Sequence, residues 1–254
     1  MCELLGMSAN VPTDICFSFT GLMQRGGETG PHRDGWGISF YEGRRCRSFH
    51  DPTPSAHSPI AELIHSYPIK SEIVISHIRQ ATHGRVCLEN THPFSRELWG
   101  REICFAHNGK LGGVKSHELC GYRPVGGTDS EYAFCDLMSR ARARWPKRPP
   151  KASTFANALE RWLRELSSYG TCNVLMSDSR VLYAFCTTKL YYLTRRAPFK
   201  VATLIDADLS VNFKEETSPH DVVTMIATQP LTEEEWVKIE PGSLYVFDQG
   251  ELVR

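Results

Sequence analysis

The feature that most limits the fold is the placement of strand-forming segments, which lie in both halves of the chain with helices between them. Segments rich in β-branched and aromatic residues are "SEIVISHIR" and "REICFAHNG" in the first half and "CNVLMSD" and "DVVTMIAT" in the second. The opening "CELLGMS" predicts a further, short strand. This order predicts a layered α+β protein in which helices cover mostly antiparallel sheets.

Capping residues and turn signals divide the chain further. Thr13 is expected to cap a helix that Gly26 and Gly27 end. Thr128 and Glu131 have the spacing of a capping box at the start of a helix, and another amphipathic helix is predicted over about 153–168. "SPIAELIHSY" predicts a short helix, and "GWGISFYEGRRCRSFHDP" predicts a hairpin that turns at "EG".

Charge and cysteine usage exclude several classes of protein. Lys plus Arg and Asp plus Glu both number 29 in 254 residues, so no net charge favours nucleic acid or an anionic membrane. No apolar run approaches the roughly 20 residues of a membrane span, and the start is unlike a secretory signal. Nine cysteines without any CxxC indicate reduced thiols in a cytoplasmic protein. The length suits a single domain, 1–254.

Polar residues concentrate in four short stretches where strands or turns end. These are "SHIRQATHG" (76–84), "THPF" (91–94), "AHNGKL" (106–111) and "GGTDSE" (126–131). Active sites often lie on such loops, which a rigid scaffold holds in place. Cys2 stands apart from the other cysteines, because removal of Met1 would give it a free α-amine.

Cys2 followed in order by "HIRQATHG", "HPF", "HNG" and "TDSE" resembles the class II glutamine amidotransferases, which are N-terminal-nucleophile hydrolases. The resemblance extends to the stand-alone, YafJ-like group through "MCELLGMS", "DGWGISFY" and "PGSLYVF". It implies a four-layer αββα sandwich of two stacked antiparallel sheets between helices. Without the resemblance, the sequence pattern predicts only the layered α+β class.

The resemblance assigns catalytic roles to three residues. The thiolate of Cys2 attacks the side-chain amide carbon of glutamine, and its own α-amine, with a pKa near 8, is the base, directly or through a water molecule. The side-chain amide of Asn108 and the backbone N–H of Gly109 form the oxyanion hole. Two of these residues also have simpler interpretations. Asn108 is a typical turn residue, and Cys2 without the other motifs would be an incidental cysteine.

The resemblance also assigns the glutamine-binding residues. Arg79 binds the α-carboxylate through two hydrogen bonds, Asp129 pairs with the α-ammonium, and Thr82 and His83 line the same loop. Asp129 also sits in the first turn of a predicted helix, where a carboxylate is favoured by the helix dipole. Arg79 could otherwise be a surface ion-pair residue.

The implied reaction is thioester formation with release of ammonia, followed by hydrolysis to glutamate, without a metal or organic cofactor. Glutamine or a γ-glutamyl compound is the expected ligand. The chain has about the length of the glutaminase domain, so an ammonia-accepting enzyme would be a separate chain. The alternatives are a γ-glutamyl hydrolase, a catalytically silent interaction module of the same fold, and a metallohydrolase.

Three features fit the resemblance less directly. Glu3 stands where many members of the family have glycine, and either alternates away from the site or contacts the substrate. Four histidines, at 77, 83, 92 and 107, do not have the spacing of a metal motif, and His77 and His107 are expected to end strands and hydrogen-bond to site loops. The basic run 139–151 is expected to be a solvated helix C-terminus rather than a docking site.

Overall fold

The computed structural model describes residues 2–67, 69–81, 84–213 and 218–254. Its helices are α1 (Cys16–Arg25), α2 (Pro59–Ser66), α3 (Asp129–Arg144) and α4 (Ala152–Ser167). Its strands are β1 (Glu3–Asp14), β2 (Trp36–Glu42), β3 (Arg45–Asp51), β4 (Lys70–Ile78), β5 (Phe94–Leu98), β6 (Arg101–Leu111), β7 (Gly170–Ser177), β8 (Leu182–Cys186), β9 (Tyr191–Arg196), β10 (Val201–Thr203), β11 (Ser210–Asn212), β12 (Val222–Ala227), β13 (Val237–Lys238), β14 (Ser243–Asp248) and β15 (Glu251–Leu252).

Two antiparallel sheets carry most of these strands. The first has the order β13-β9-β12-β1-β4-β2-β3, and the second has the order β15-β14-β8-β7-β6-β5. β1 lies inside the first sheet, where Leu4 pairs with His77 of β4 and Leu5 pairs with Ala227 of β12. β6 lies inside the second sheet, with Asn108 opposite Asn173 of β7. The start of β1 is therefore held from two sides, whereas the end of β6 pairs with β7, because β5 pairs only with residues 101–105 of β6.

Alternation along β1 shows how the layers stack. Leu5 and Met7 pack with Phe19 and Leu22 of α1 on one face of the first sheet. Leu4 points to the other face and packs against apolar residues of the second sheet, Leu175 among them. The second sheet turns its outer face to α3 and α4. Burial of a leucine or phenylalanine side chain stabilises the fold by about 1.5–3 kcal/mol. Three apolar cores, one between the two sheets and one under the helices on each outer face, therefore hold the layers together.

The predicted four-layer αββα sandwich is confirmed, with α1 and α2 on one side and α3 and α4 on the other. The hairpin turn at "EG" is also confirmed, because β2 ends at Glu42 and Gly43 has a φ of 63°. Within the described residues, no helix is both long and apolar enough to cross a membrane.

The predicted start of the first helix is wrong. β1 continues to Asp14, so Thr13 is a strand residue, and α1 begins at Cys16. The Asp14 carboxylate accepts a hydrogen bond from the backbone N–H of Cys16 at 2.7 Å, which binds one of the otherwise free donors of the first turn. Pairing of Thr13 with Ser71 of β4 outweighs its capping propensity.

The capping box of α3 forms only in part. The Thr128 hydroxyl accepts from the N–H of Glu131 at 3.1 Å, as predicted. The Glu131 carboxylate instead accepts from the N–H groups of Val125 and Gly126, at 3.0 and 2.7 Å, and pairs with Arg96. Glu131 thus fixes the loop that leads into α3, next to the predicted site residue Asp129.

Candidate active site

Cys2 lies at the start of β1, beside the residues that follow β4. Its Sγ is 3.4 Å from the backbone N of Gln80 and 3.6 Å from the backbone O of the same residue. The side chain as a whole is partly exposed, but burial of the thiol raises its pKa. A thiol with a raised pKa is protonated near neutral pH and needs a base before it can attack.

Arg79 follows β4 directly, and its side chain is buried. Its Nη1 donates to the carbonyl of Arg85 at 3.1 Å. Its backbone N–H donates to the carbonyl of Gly35 at 2.8 Å, and its carbonyl accepts from the N–H of Asp34 at 3.1 Å. The Asp34 carboxylate also accepts from the N–H of Ala81 at 2.7 Å. The turn at 34–35 therefore fixes the backbone on both sides of the segment that contacts Cys2.

Thr82 and His83 lie outside the described residues, so their predicted roles stay predictions. Asn90 connects the loop after β4 to the segment before α3. Its side chain donates to the carbonyl of Arg85 at 2.9 Å and accepts from the N–H of Gly127 at 2.8 Å. Asn90 thus connects Gly127, in the predicted site stretch 126–131, to Arg85, which directly follows the stretch 76–84.

Asp129 begins α3 and faces the end of β6. One carboxylate oxygen accepts from the N–H of Leu111 at 2.7 Å, and the other accepts from the N–H of Ser130 at 3.0 Å. A carboxylate has about four acceptor positions, so these two bonds leave capacity for a ligand ammonium. Asp129 has the local structural role that the sequence indicated and is still chemically able to bind the ligand.

Asn108 is fully buried near the end of β6. Its Nδ2 lies 3.4 Å from the hydroxyl of Thr228, and its Oδ1 has no hydrogen-bond partner among the described residues. The Thr228 hydroxyl also accepts from the N–H of Leu4 at 2.9 Å. Thr228 therefore links the nucleophile's strand in one sheet to the predicted oxyanion residue in the other.

The Thr228 hydroxyl also bears on the orientation of the Asn108 amide. A half-turn of the Asn108 amide exchanges its O and N ends, which differ little in size. In that orientation Oδ1 accepts the hydroxyl proton of Thr228, whose lone pair already binds Leu4. Nδ2 then becomes the end of the amide that has no partner among the described residues, and it is the end that can donate a hydrogen bond. This is the orientation that oxyanion stabilisation requires.

Gly109 lies on β6 against the backbone of β7. A Cβ at this position would be 1.9 Å from the carbonyl O of Thr171 and 2.8 Å from Nε2 of His107. Any larger residue would push the two strands apart. The need for glycine comes from strand packing, in addition to the open approach to a ligand that the sequence suggested.

Burial lowers the pKa values of His77, His92 and His107 and keeps these three rings neutral. His107 contacts the Ser130 hydroxyl at 2.8 Å and the Thr171 carbonyl at 3.1 Å, so its predicted bond to a site loop is present. His77 stacks on His92 with ring centroids 4.2 Å apart, and neither ring has a hydrogen-bond partner among the described residues. Burial lowers the pKa of His77 to about 3.

Glu3 points away from Cys2, on the face of β1 that packs against α1. Its carboxylate is 2.8 Å from Nη1 of Arg25, and both side chains are almost fully buried. Arg25 also contacts Asp206 at 2.6 Å and donates to the carbonyls of Gln229 and Pro230. Burial lowers the pKa of Arg25, but the two carboxylates outweigh it and raise the pKa overall.

Sequence reasoning missed three residues that shape this site: Asp34, Thr228 and Arg25. Asp34 could have been found in "DGWG", since an Asp–Gly pair indicates a turn that can hold a neighbouring loop. Thr228 ends the predicted strand "DVVTMIAT", where exposed polar groups are expected. Arg25 carries no local signal, because its partners lie as far as 205 residues away in the chain.

Comparison with known proteins agrees with this geometry. The family described as "Glutamine amidotransferases class-II" matches residues 1–254. The chain belongs to this family. The Escherichia coli (strain K12) protein YafJ is 59% identical over the full length of both chains, and a Haemophilus influenzae relative is 44% identical over all of this chain and 86% of its own.

Solved structures give the same assignment. A crystal structure of a "predicted glutamine amidotransferase" from Pseudomonas aeruginosa PA01 is 52% identical, covers both chains fully and superposes with a TM-score of 0.79. The phosphoribosylpyrophosphate amidotransferase of Bacillus subtilis is 14% identical over 99% of this chain and 48% of its own, with a TM-score of 0.60. That second likeness shows a shared fold.

Proposed function

We propose that this chain, acting as a single domain, hydrolyses the side-chain amide of glutamine with Cys2 as nucleophile. The observation that carries the proposal is the shared contact through Thr228. That hydroxyl binds Leu4 at 2.9 Å and lies 3.4 Å from Asn108, so it connects the strand of the nucleophile to the oxyanion residue. The family membership supports the same chemistry.

The reaction begins when Met1 is removed and Cys2 gains a free α-amine. The amine takes the thiol proton, Sγ forms a bond to the amide carbon, and Asn108 and Gly109 donate to the developing oxyanion. The C–N bond then breaks as the amine returns the proton to the leaving nitrogen, and ammonia departs. Water attacks the thioester to give glutamate and restore the thiol.

Arg79 and Asp129 hold the amino-acid end of glutamine in this proposal, with Thr82 and His83 in the same loop. Both Arg79 and Asp129 are fixed by contacts within the protein, at Arg85 and Leu111 respectively. Preformed contacts of this kind reduce the entropy lost when the ligand is oriented. The proposal leaves the ammonia acceptor unassigned and requires no metal or cofactor.

The test is glutaminase activity in protein whose intact mass shows that Met1 is absent. We expect equal amounts of ammonia and glutamate. A matched form with one extra residue before Cys2 keeps the thiol but places its nitrogen in a peptide bond, and we expect it to be inactive. If processed protein releases no ammonia from glutamine or γ-glutamyl amides, the silent-module alternative gains; if the extended form is fully active, the α-amine is not the base.

A further inference from the structure

A cavity of about 590 Å³ lies beside the nucleophile, on the side of Gln80 and Glu3. Gln80 is the residue whose backbone contacts Sγ of Cys2, and Glu3 follows Cys2 in the chain. We call this space the Gln80 cavity. Its described lining residues are Glu3, Arg25, Thr29, Gly30, Pro31, His32, Gln80, Ile205, Asp206, Gln229 and Pro230. The proposed function does not use it.

The amino-acid end of the substrate is assigned to a different side of the site. A second cavity, of about 520 Å³, is lined by Gly84, Arg85, Asn90 and Gly127. Neither Arg79 nor Asp129 lines this second cavity, but Arg79 donates to the lining residue Arg85, and the lining residue Gly127 lies two residues before Asp129. In the proposed function, the contacts to the substrate's carboxylate and ammonium therefore lie on the side of this second cavity.

The walls of the Gln80 cavity are held by the buried cation Arg25. Its guanidinium contacts the carboxylates of Glu3 and Asp206 and the carbonyls of Gln229 and Pro230. These partners engage its donors, so it offers little to a bound anion. The two carboxylates and one guanidinium together carry a net charge of −1.

We infer that the Gln80 cavity binds the amine part of a γ-glutamyl amide, and that this amine carries a second, positively charged nitrogen. The inference rests on the proposed function, because it uses the same nucleophile and the same contacts of Arg79 and Asp129 to the glutamyl part. Glutamine has no group beyond its amide nitrogen that could enter the cavity, so the cavity stays filled with solvent when glutamine is bound. A conjugate with a longer amine fills it, and the ammonium faces the carboxylate of Asp206.

The chemistry is that of glutamine hydrolysis with a different leaving group. Sγ of Cys2 bonds to the amide carbon, the C–N bond breaks, and the α-ammonium of Cys2 gives its proton to the departing amine. Water then cleaves the thioester to glutamate. The products are glutamate and a diamine, and the step needs no further reactant.

The test compares γ-glutamyl conjugates of similar chain length whose amine parts differ in charge: putrescine (cationic), butylamine (neutral) and γ-aminobutyrate (anionic). Glutamine is measured alongside. We expect kcat/KM to be highest for the putrescine conjugate and at least about tenfold lower for the anionic one, since a single charged contact is commonly worth that factor. Equal values for all three conjugates would overturn the inference.

Asp206→Asn tests the wall of the cavity, because it removes one charge and keeps the shape of the side chain. We expect the ratio of kcat/KM between the putrescine and butylamine conjugates to fall about fivefold to tenfold. The ratio is taken within one variant, so a general loss of active protein cancels. Asp208→Asn is the matched control, because Asp208 is exposed two residues away, does not line the cavity, and should leave the ratio unchanged.

The outcomes separate this inference from the proposed function. Hydrolysis of glutamine without hydrolysis of any conjugate overturns the inference and leaves the glutaminase proposal in place. An equal drop of the ratio in Asp206→Asn and Asp208→Asn would show that only long-range charge acts, and would also overturn it. Failure on glutamine and on every conjugate contradicts both.

Discussion

Thr228→Val removes the hydroxyl between Leu4 and Asn108 and keeps the size of the side chain. The hydroxyl accepts from Leu4 at 2.9 Å and lies 3.4 Å from Asn108. Loss of an oxyanion donor costs about 3–4 kcal/mol in the transition state, and loss of the bond that orients a donor costs about 0.5–1.5 kcal/mol. We therefore expect kcat for glutamine to fall about threefold to tenfold, with a smaller change in KM.

The same substitution leaves the N–H of Leu4 without its partner in a buried position, so the free energy of unfolding should fall by about 1–3 kcal/mol. Thr228→Ser keeps the hydroxyl and is the matched control, with kcat close to that of the wild type. Steady-state ammonia release gives kcat and KM, and urea unfolding gives stability.

A double-mutant cycle decides whether Thr228 acts through Asn108. If it does, Thr228→Val should have little further effect on kcat in an Asn108→Ala background, because the donor it orients is already absent. If the two losses simply multiply, Thr228 does not orient Asn108, and the reasoning from the shared hydroxyl is refuted.

Three further predictions follow from the site. Gly109→Ala should destabilise the protein by at least about 1–3 kcal/mol and abolish measurable activity, because its Cβ would lie 1.9 Å from the Thr171 carbonyl; wild-type urea stability would contradict this. The kcat/KM of processed protein should rise about tenfold per pH unit between about pH 6 and 7.5, reach half its maximum near pH 8 and level off near pH 9, as the α-amine of Cys2 loses its proton; a flat profile would exclude that base. The pKa of His77 is about 3 in the folded protein, against an ordinary value of 6.5. The unfolded chain therefore binds a proton at His77 first, so the free energy of unfolding is highest above pH 6.5 and falls as the pH drops below that value. Acidification to about pH 5 should cost about 2 kcal/mol from His77, and His77→Phe should lose that part of the pH dependence in urea unfolding.

Local patterns in the sequence were sufficient for the layered α+β class and for the cap at Thr128, and the resemblance supplied the four-layer αββα arrangement. They failed at Thr13, where pairing with Ser71 of β4 extends the strand past a residue that would otherwise cap a helix. Strand pairing is a long-range interaction, and no window of neighbouring residues contains it. The short strands β10, β11 and β13 were missed for the same reason.

The candidate site shows the same difference between local sequence patterns and long-range interactions. Asn108 and Asp129 lie in motifs with a recognisable order, so the sequence was enough to propose them. Thr228 and Arg25 act by connecting segments 120 residues or more apart, and their chemistry is ordinary where they stand in the chain. The sequence left two positions open for Glu3, and the structure settles between them, because its carboxylate lies on Arg25, away from Cys2.

The most direct test of the central claim is ammonia release from glutamine by Cys2→Ala, compared with wild-type protein in which removal of Met1 is verified by intact mass. A Cys16→Ala variant is the matched control, because Cys16 is also partly exposed and takes no part in the proposed reaction. We expect release to disappear in Cys2→Ala and to persist in Cys16→Ala. Release that survives Cys2→Ala would contradict the mechanism.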